Sequence, residues 1–244
     1  NTIYILIPIL LIPQLILGGI IVNFDKMNPS LARYGKVPIV GDFMASRWAF
    51  EAACLAQFRE NAYDKQFFAI DKEISKASFK LVYWLPEMNN ITNELNEALM
   101  EGKPRKMNQS VALTQKHYSL LLFEITKENH FNKYAHFPVE ELKPERISLN
   151  TVLELEKYFA GLERIYRKKL DFYQKKKDRK INQIIQEKGK DAYLKLYQKH
   201  HNEALDQFLR RSGEENRIMH AEGHLVQQID PVFNDQTIPL NGLD

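Results

Sequence analysis

Two histidines near the carboxyl end of the chain are spaced as metal ligands on a helix would be. His220 and His224 lie four residues apart with Glu222 between them, so on a helix both imidazoles would share a face and could bind a metal ion. Their order, His-Ala-Glu-Gly-His, is not that of the zinc proteases, and Gly223 weakens a helix. We therefore expect no metal site here.

A second pair at helical spacing consists of opposite charges. Arg47 and Glu51 lie four apart in an alanine-rich segment, so they share a helix face. If that helix is submerged in a bilayer, a neutralising pair allows two ionised groups to stay there. If the helix lies at the surface, the pair stabilises it by only about 0.3 kcal/mol. The sequence leaves both interpretations open.

The most conspicuous charged feature is a basic run between Arg164 and Lys180. Only Asp171 and Asp178 balance it, and its members are Arg164, Arg167, Lys168, Lys169, Lys175, Lys176, Lys177, Arg179 and Lys180. Such a run could bind the phosphates of nucleic acid or of lipid headgroups. We favour the alternative of a solvated face on a long helix. The net charge of +3 and the lack of a recognised nucleic-acid module indicate no nucleic-acid partner.

Nothing in the sequence forms a catalytic set. It contains no glycine-rich phosphate loop, no nucleophile elbow and no cysteine cluster. The single cysteine, Cys54, excludes an internal disulfide. We expect no catalytic residue, metal or cofactor in this chain.

The elements that must position these residues begin with an uncharged stretch. Residues 1–23 carry no charge, and Thr2 to Val22 is long and apolar enough to cross a hydrocarbon core of about 30 Å as a helix. The alternatives are a buried core helix and a signal peptide; the latter fits poorly, without a basic start or a cleavage site. Kink-forming and close-packing residues suggest a span packed among others: Pro8, Pro13, Gln14, Gly18 and Gly19. The hydrophobic start suggests a piece of a larger protein.

The rest of the chain is rich in helix-forming residues and predicts a mainly α fold. The pattern predicts a connector up to Asp42 and a helix from Phe43 to Asn61 capped by Asp42. It then predicts an aromatic-rich segment from Asp64 to Leu85 that Pro86 stops or kinks, helices over 87–101 and 108–129, and a loop over 130–149.

From Asn150, which we interpret as a helix cap, a narrow apolar seam steps by three and four residues. It consists of Val152, Leu155, Phe159, Leu162, Tyr166, Leu170 and Tyr173 and is typical of coiled-coil packing. Gly189 ends the run, and a second amphipathic run follows to residue 211. We therefore predict a long antiparallel helical hairpin turning near Gly189, with Tyr173 near Leu205.

The order of features along residues 3–62 resembles the late membrane region of ABC-2-type exporters, close to the G subfamily of ABC transporters. In that family the fifth span ends in a small-residue, apolar stretch with Val-Asn, and Gly18 to Asn23 match it. Short re-entrant helices follow, and this chain fits their pattern at Pro38, Arg47, Trp48, Phe50, Ala52, Gln57 and Asn61. The structural or transport candidates are Pro13, Gln14, Gly18, Gly19, Asn23, Arg47, Glu51 and Asn61.

The resemblance implies the permease part of an ATP-driven exporter in the bacterial inner (cytoplasmic) membrane. Its partners would be the lipid bilayer, a second permease half in a dimer, and a fused or separate ABC-type ATPase that holds the ATP and Mg. Residues 24–244 would be mostly extracytoplasmic. The implied organisation is a transmembrane helix truncated at its start (1–23), a connector with a re-entrant or interfacial helix (24–62), a helical extracytoplasmic segment (63–149), a helical hairpin insertion (150–229) and an irregular tail before a missing last span (230–244).

A rival interpretation belongs to another functional class. The long seam and the single apolar segment also fit a membrane-anchored helical or coiled-coil interaction protein without transport activity. The kinked span with its glutamine and glycines favours the exporter. The transported substrate and the direction of transport do not follow from the sequence.

Overall fold

The computed structural model describes residues 2–17, 44–101, 107–143, 146–212, 217–221 and 223–233, and these are mainly helical, as predicted. The α-helices are α1 (Thr2–Leu17), α2 (Ala45–Glu60), α3 (Phe68–Phe79), α4 (Leu85–Glu101), α5 (Met107–Phe131), α6 (Leu149–Lys188), α7 (Lys190–His200) and α8 (Glu203–Arg210). A π-helical turn covers Lys80–Trp84, and short 3-10 turns cover Asp64–Gln66, Val139–Leu142 and Pro231–Phe233. Two strands, β1 (Ile218–Ala221) and β2 (His224–Gln227), pair antiparallel.

The helix nearest the amino end covers most of the predicted span. Helix α1 ends at Leu17, and the last five residues of the predicted segment, 18–22, lie outside the described residues, as do the candidates Gly18, Gly19 and Asn23. Within the described ranges, no helix has both the length and the apolar character needed to cross a membrane. The one-span part of the predicted fold is therefore unsupported.

The chain divides into two compact units. The first contains residues 1–66 and 191–205, and hence α1, α2 and nearly all of α7. Helix α2 begins at Ala45 after Met44, two residues later than predicted, and the predicted cap, Asp42, lies outside the described residues.

The second unit, residues 67–190 and 206–244, has the main apolar core. Helix α6 packs along α3 and α4, and α5 packs on α4 and β2. Helix α4 contributes an apolar face to this core, since Met88, Ile91 and Leu95 are all buried. Other fully buried side chains of this core are Leu120, Ile125, Leu142, Leu155, Phe159 and Leu162.

A π-helical turn carries the chain from α3 into α4 without interruption. Pro86 has no backbone N–H, so it cannot continue the usual hydrogen-bond ladder. In this turn the Leu85 N–H donates to the carbonyl of Lys80, five residues earlier. The widened turn directly precedes the proline, so the helical run neither stops at Pro86 nor needs a loop there.

Helix α6 starts with a cap different from the predicted one. Ser148 is the cap, and its side chain and that of Thr151 bond reciprocally to backbone N–H groups in a capping box. Asn150 lies inside the first turn, and its side chain donates to Glu154. The prediction of Asn150 as cap is therefore wrong, because the loop before it enters the helix two residues earlier.

The long helix ends where the sequence predicts. Gly189 follows Lys188 with φ of 86°, a conformation that glycine adopts without strain. The second run is divided, however, into α7 and α8, with a break at residues 201–202. The antiparallel packing of the two arms stays a prediction.

The segment with the two spaced histidines forms strands rather than a helix. Gly223, with φ of 83°, lies in the turn, and Ala221 is paired with His224 across the ladder. His220 belongs to β1 and His224 to β2, so the two imidazoles are not a turn apart on one helix face. The resulting small sheet is an element that the mainly helical prediction did not include.

Candidate functional site

The first candidate region is the helix pair α1 and α2 of the first unit, which holds most of the predicted candidates within the described residues. Side chains from Tyr4 to Ile9, and those of Leu11 and Ile12, are exposed. Six consecutive exposed residues point in every direction around a helix with 3.6 residues per turn. The exposed fractions range from 79% at Tyr4 to 48% at Ile7. Over residues 4–9, α1 therefore presents apolar surface in every direction around its axis.

A hydrogen bond between polar groups joins the two helices. The Ser46 hydroxyl donates to the backbone carbonyl of Gln14 at 2.9 Å. Pro13 precedes this carbonyl within α1 and removes the donor that the carbonyl of Ile9 would otherwise receive. The predicted candidates Pro13 and Gln14 therefore lie where α1 departs from the hydrogen bonding of a regular, isolated helix.

Arg47 and Glu51 form the predicted pair, with unequal burial. The guanidinium Nη2 lies 3.7 Å from Glu51 Oε2, while the side chains are 11% and 53% exposed. The guanidinium carbon also lies 4.3 Å from the centre of the Trp48 ring, a cation–π contact. Only the arginine is removed from solvent in this unit, so the geometry combines features of both interpretations that the sequence left open.

Asn61 ends α2 and shapes the turn that follows. Its side-chain amide donates to the carbonyl of Gln57 at 2.7 Å and to Asp64 Oδ2 at 2.7 Å. Its carbonyl oxygen accepts the backbone N–H groups of Tyr63 and Asp64. These bonds satisfy a helix end and initiate the 3-10 turn, which is a structural role for this candidate.

The turn after α2 also holds a histidine–aspartate pair that sequence reasoning missed. His201 Nδ1 lies 2.9 Å from Asp64 Oδ1, and both side chains are largely buried. The His201 ring stacks on Tyr197, and the hydroxyls of Tyr63 and Tyr193 lie 3.0 Å apart. Burial, and then the bond to Tyr193, raises the pKa of Tyr63, so this phenol stays protonated at neutral pH. These contacts hold the end of α7 and His201 against the 3-10 turn that follows α2.

In the second unit, α5 carries a buried carboxylate, Glu128, that forms an ion pair between helices. Glu128 Oε2 lies 2.7 Å from the ammonium of Lys80, with the side chains 2% and 18% exposed. Tyr166 of α6 donates its hydroxyl to the other oxygen. Burial raises the pKa of Glu128, but Lys80 and the hydrogen bonds outweigh it, so the pKa lies below its ordinary value. Glu128 is therefore ionised, and both of its carboxylate oxygens have partners.

One helical turn earlier, Glu124 has both carboxylate oxygens occupied. Oε2 accepts from Trp84 Nε1 and Oε1 from the backbone N–H of Leu225, each at 2.7 Å. Glu124 is 1% exposed. It thus joins the π-helical turn, α5 and β2 in one polar contact inside an apolar core. Such satisfied buried networks specify a unique packing.

The sequence did contain a signal for these two carboxylates. Glu124 interrupts the apolar stretch from Leu120 to Ile125, and Glu128 follows it at a spacing of four, which places both carboxylates on one helix face together with buried apolar residues. The partners, Lys80 for Glu128 and Trp84 and Leu225 for Glu124, are far away in the sequence, so no local pattern could identify them. The His201 and Asp64 pair is separated by 137 residues and had no local signal either.

The two histidines that the sequence analysis considered as metal ligands have separate partners. His220 Nε2 lies 2.7 Å from Glu87 Oε1, and the His224 ring packs on Phe123 at 5.4 Å between centroids. Among the described residues, no group of three histidine, cysteine or acidic side chains is placed to hold a metal. The two histidines serve separate contacts.

No family model, curated protein or solved structure matches the chain.

Proposed function

We propose that this chain is a piece of the membrane-spanning permease part of an ATP-driven ABC-2-type exporter. The observation that carries the proposal is α1, an uncharged helix that exposes apolar side chains on every face while bonding to α2 through Ser46 and Gln14. Interhelical bonds from serine to a neighbouring backbone are a recurrent means of joining helices in lipid.

The energetics of α1 favour lipid as its surroundings. Apolar surface left in water costs about 25 cal/mol per Å² relative to burial, and α1 bears no charged group to offset this. Its 16 residues extend about 24 Å at 1.5 Å per residue, against a hydrocarbon core of about 30 Å. Continuing the predicted segment to Val22 supplies the remaining length.

Helix α2 supports the same proposal through one buried cation and a set of exposed small and apolar residues. Its buried residues are Arg47, Cys54 and Phe58, whereas Trp48, Leu55 and five alanines are exposed. A helix in water normally keeps arginine in solvent and buries side chains such as those of Trp48 and Leu55. Small exposed residues let another helix approach closely in a membrane. This is the behaviour expected of the re-entrant or interfacial helix that the resemblance implies.

The mechanism then belongs to the whole transporter. A fused or separate ATPase hydrolyses ATP with Mg, and the two permease halves change their arrangement in the bacterial inner membrane. Residues 24–244 would supply an extracytoplasmic body, including the long antiparallel hairpin. Candidates in the membrane part are Pro13, Gln14, Gly18, Gly19, Asn23, Arg47 and Glu51.

Membrane association is tested by removing the apolar segment. A chain that begins at Asn28 should wash off membranes under alkaline conditions, whereas the full chain should stay. Release of the full chain would refute the span. Retention of the shortened chain would assign membrane insertion to α2 instead.

Coupling to an ATPase separates an exporter from a membrane anchor. In proteoliposomes of the intact protein with its ATPase, we expect Glu51→Gln to reduce ATP hydrolysis, because Arg47 loses its carboxylate partner. Replacing both Arg47 and Glu51 with leucine should recover much of that loss. The matched control is Glu60→Gln, since Glu60 lies on the same helix and is equally exposed, at 52%. Equal effects of both variants, or no associated ATPase, would favour an interaction protein without transport activity.

A further inference from the structure

Helix α6 bears an outward-facing row of cations with one aromatic side chain among them. The row, here called the basic stripe, consists of Arg164, Lys168, Phe172, Lys175, Lys176 and Arg179, all exposed. At 100° per residue these six positions fall within an arc of about 120°. Between Arg164 and Arg179 the helix extends about 23 Å. The stripe is therefore a continuous surface feature, not a set of scattered charges.

The packing of α6 fixes which of its cations face outward. Leu155, Phe159 and Leu162 are buried in the core, and they set the rotation of the helix. Two lysines on the inward side are neutralised by α3, because Lys169 lies 2.7 Å from Glu73 and Lys177 lies 2.6 Å from Asp71. The acidic residues Glu73 and Asp71 of α3 thus pair with lysines on the inward side of α6 and not with the cations on its outward side.

The stripe retains most of its positive charge. Lys168, Lys176 and Arg179 contact no carboxylate in the part of the chain that the structure describes, and only Lys175 has an ion pair, with Asp171 one turn away. Both members of that pair are about 60% exposed, and such surface pairs are weak. This part of α6 therefore presents a positive field to its surroundings.

Phe172 is the feature that distinguishes the stripe from a merely solvated basic face. Its side chain is 58% exposed and lies one helical turn from three cations of the stripe, Lys168, Lys175 and Lys176. Moving such an aromatic side chain from water into the boundary between lipid headgroups and acyl chains is favourable. The surrounding cations would then lie next to the negatively charged headgroups.

We propose that the basic stripe binds the phosphate headgroups of an anionic membrane surface, with Phe172 inserted between the lipids. Each lysine or arginine near such a surface raises the membrane-binding constant by about five- to tenfold. A straight helix face about 23 Å long matches an extended plane of phosphates. The proposal rests on the membrane location in the proposed function, and it assigns a lipid-facing role to the helical body.

The test uses the full chain in vesicles of phosphatidylcholine alone or mixed with phosphatidylglycerol. In a Cys54→Ala background, Phe172→Cys carries an environment-sensitive fluorophore, and lipid-attached quenchers report its insertion. Glu156→Cys, exposed elsewhere on α6, is the control position. A separate label at Leu11→Cys reports whether α1 is in the bilayer.

We expect quenching at position 172 only in vesicles with phosphatidylglycerol, loss of that quenching at high salt, and none at position 156. Changing Lys168, Lys176 and Arg179 to glutamine should lower the ratio of inserted to exposed label on the order of a hundredfold. The matched control, Lys190, Lys195 and Lys199 changed to glutamine on α7, removes the same charge and should leave the ratio unchanged.

Each contrary result overturns a defined claim. A label at 172 that remains in water beside a quenched label at Leu11 refutes the stripe proposal and leaves the proposed function intact; an acidic protein partner would give this result. Labels at both positions in water refute both. Equal quenching in the two lipid mixtures, or equal loss in the control variant, refutes the role of the stripe cations.

Discussion

Replacing Lys80 with methionine will expose how strongly the second unit depends on one buried ion pair. The ammonium of Lys80 lies 2.7 Å from Glu128 Oε2, and Glu128 is 2% exposed. Methionine keeps the length and apolar stem of the side chain but removes the charge. Glu128 then retains the donors Tyr166 and Asn132 without a counter-charge.

The expected cost follows from burial. Removing one partner of a buried pair destabilises by about 3–5 kcal/mol, and we expect about 3 kcal/mol because Tyr166 still donates. A second change, Glu128→Gln, removes the orphaned charge and keeps an acceptor for Tyr166. The double variant should therefore be more stable than Lys80→Met, with a coupling of at least about 2 kcal/mol between the two positions.

The pH dependence has a definite sign. In the natural chain the folded pKa of Glu128 lies below its unfolded value, about 4.3. Its contribution to stability is therefore present above that pH and is lost as the pH falls through the folded pKa. Without Lys80, burial dominates and raises the folded pKa. The deficit of Lys80→Met should then shrink as the pH is lowered from 7 towards 4.

The assay is urea unfolding followed by the fluorescence of Trp84 in a Trp48→Phe background. Trp84 is 1% exposed in the core of this unit, and the Lys80 ammonium lies 3.6 Å from the centre of its ring. Lys80→Met removes this contact whether residue 128 is Glu or Gln, so the loss cancels in the coupling between positions 80 and 128. The matched control is the exposed pair of Lys175 and Asp171, also at 2.7 Å, for which we expect about 0.5 kcal/mol or less. Equal coupling in both pairs would refute the argument from burial.

Three further predictions concern α6 and its neighbours. Ser148→Ala should cost about 1 kcal/mol in urea unfolding through loss of the cap, whereas Asn150→Ala should cost little; the reverse order would reinstate the sequence-based cap. Leu162→Ala, at a fully buried position, should cost about 2–5 kcal/mol in the same assay, and a loss below about 1 kcal/mol would contradict the described core. Cysteines at Tyr173 and Leu205, in a background without the native cysteine, should crosslink within one chain if the arms pair as predicted, and crosslinks only between chains would indicate a dimeric coiled coil.

The sequence predicts those elements whose cause is local. The steps of three and four from Val152 to Leu162 identify the buried face of α6, and Gly189 marks its end, because periodicity and a glycine cap act over a few residues. The same spacing of three and four, at Met88, Ile91 and Leu95, marks the buried face of α4. A spacing of four can also be accidental, as in the segment with His220 and His224, which forms two paired strands.

The missed features depend on residues far apart in the sequence. Glu124 is stable in the core only because Trp84 and the backbone of Leu225 both donate to it, and no pattern within one helix contains that information. The same holds for Lys80 and Glu128. The π-helical turn is an intermediate case, since Pro86 signals a break in the ladder but not the five-residue hydrogen bond that accommodates it.

The bond from Leu225 to Glu124 has a consequence for how the second unit matures during synthesis. Leu225 is made 37 residues after the end of α6, which corresponds to roughly 2–7 seconds at the usual pace of translation. Throughout that interval the nascent helices hold a core carboxylate with one donor missing, a state that favours local opening. We expect arrested chains that end before Ile218 to be cut readily by protease near α5, and chains extended past Phe233 to resist cleavage. Equal resistance would show that the β1–β2 strand pair is dispensable for closing the core.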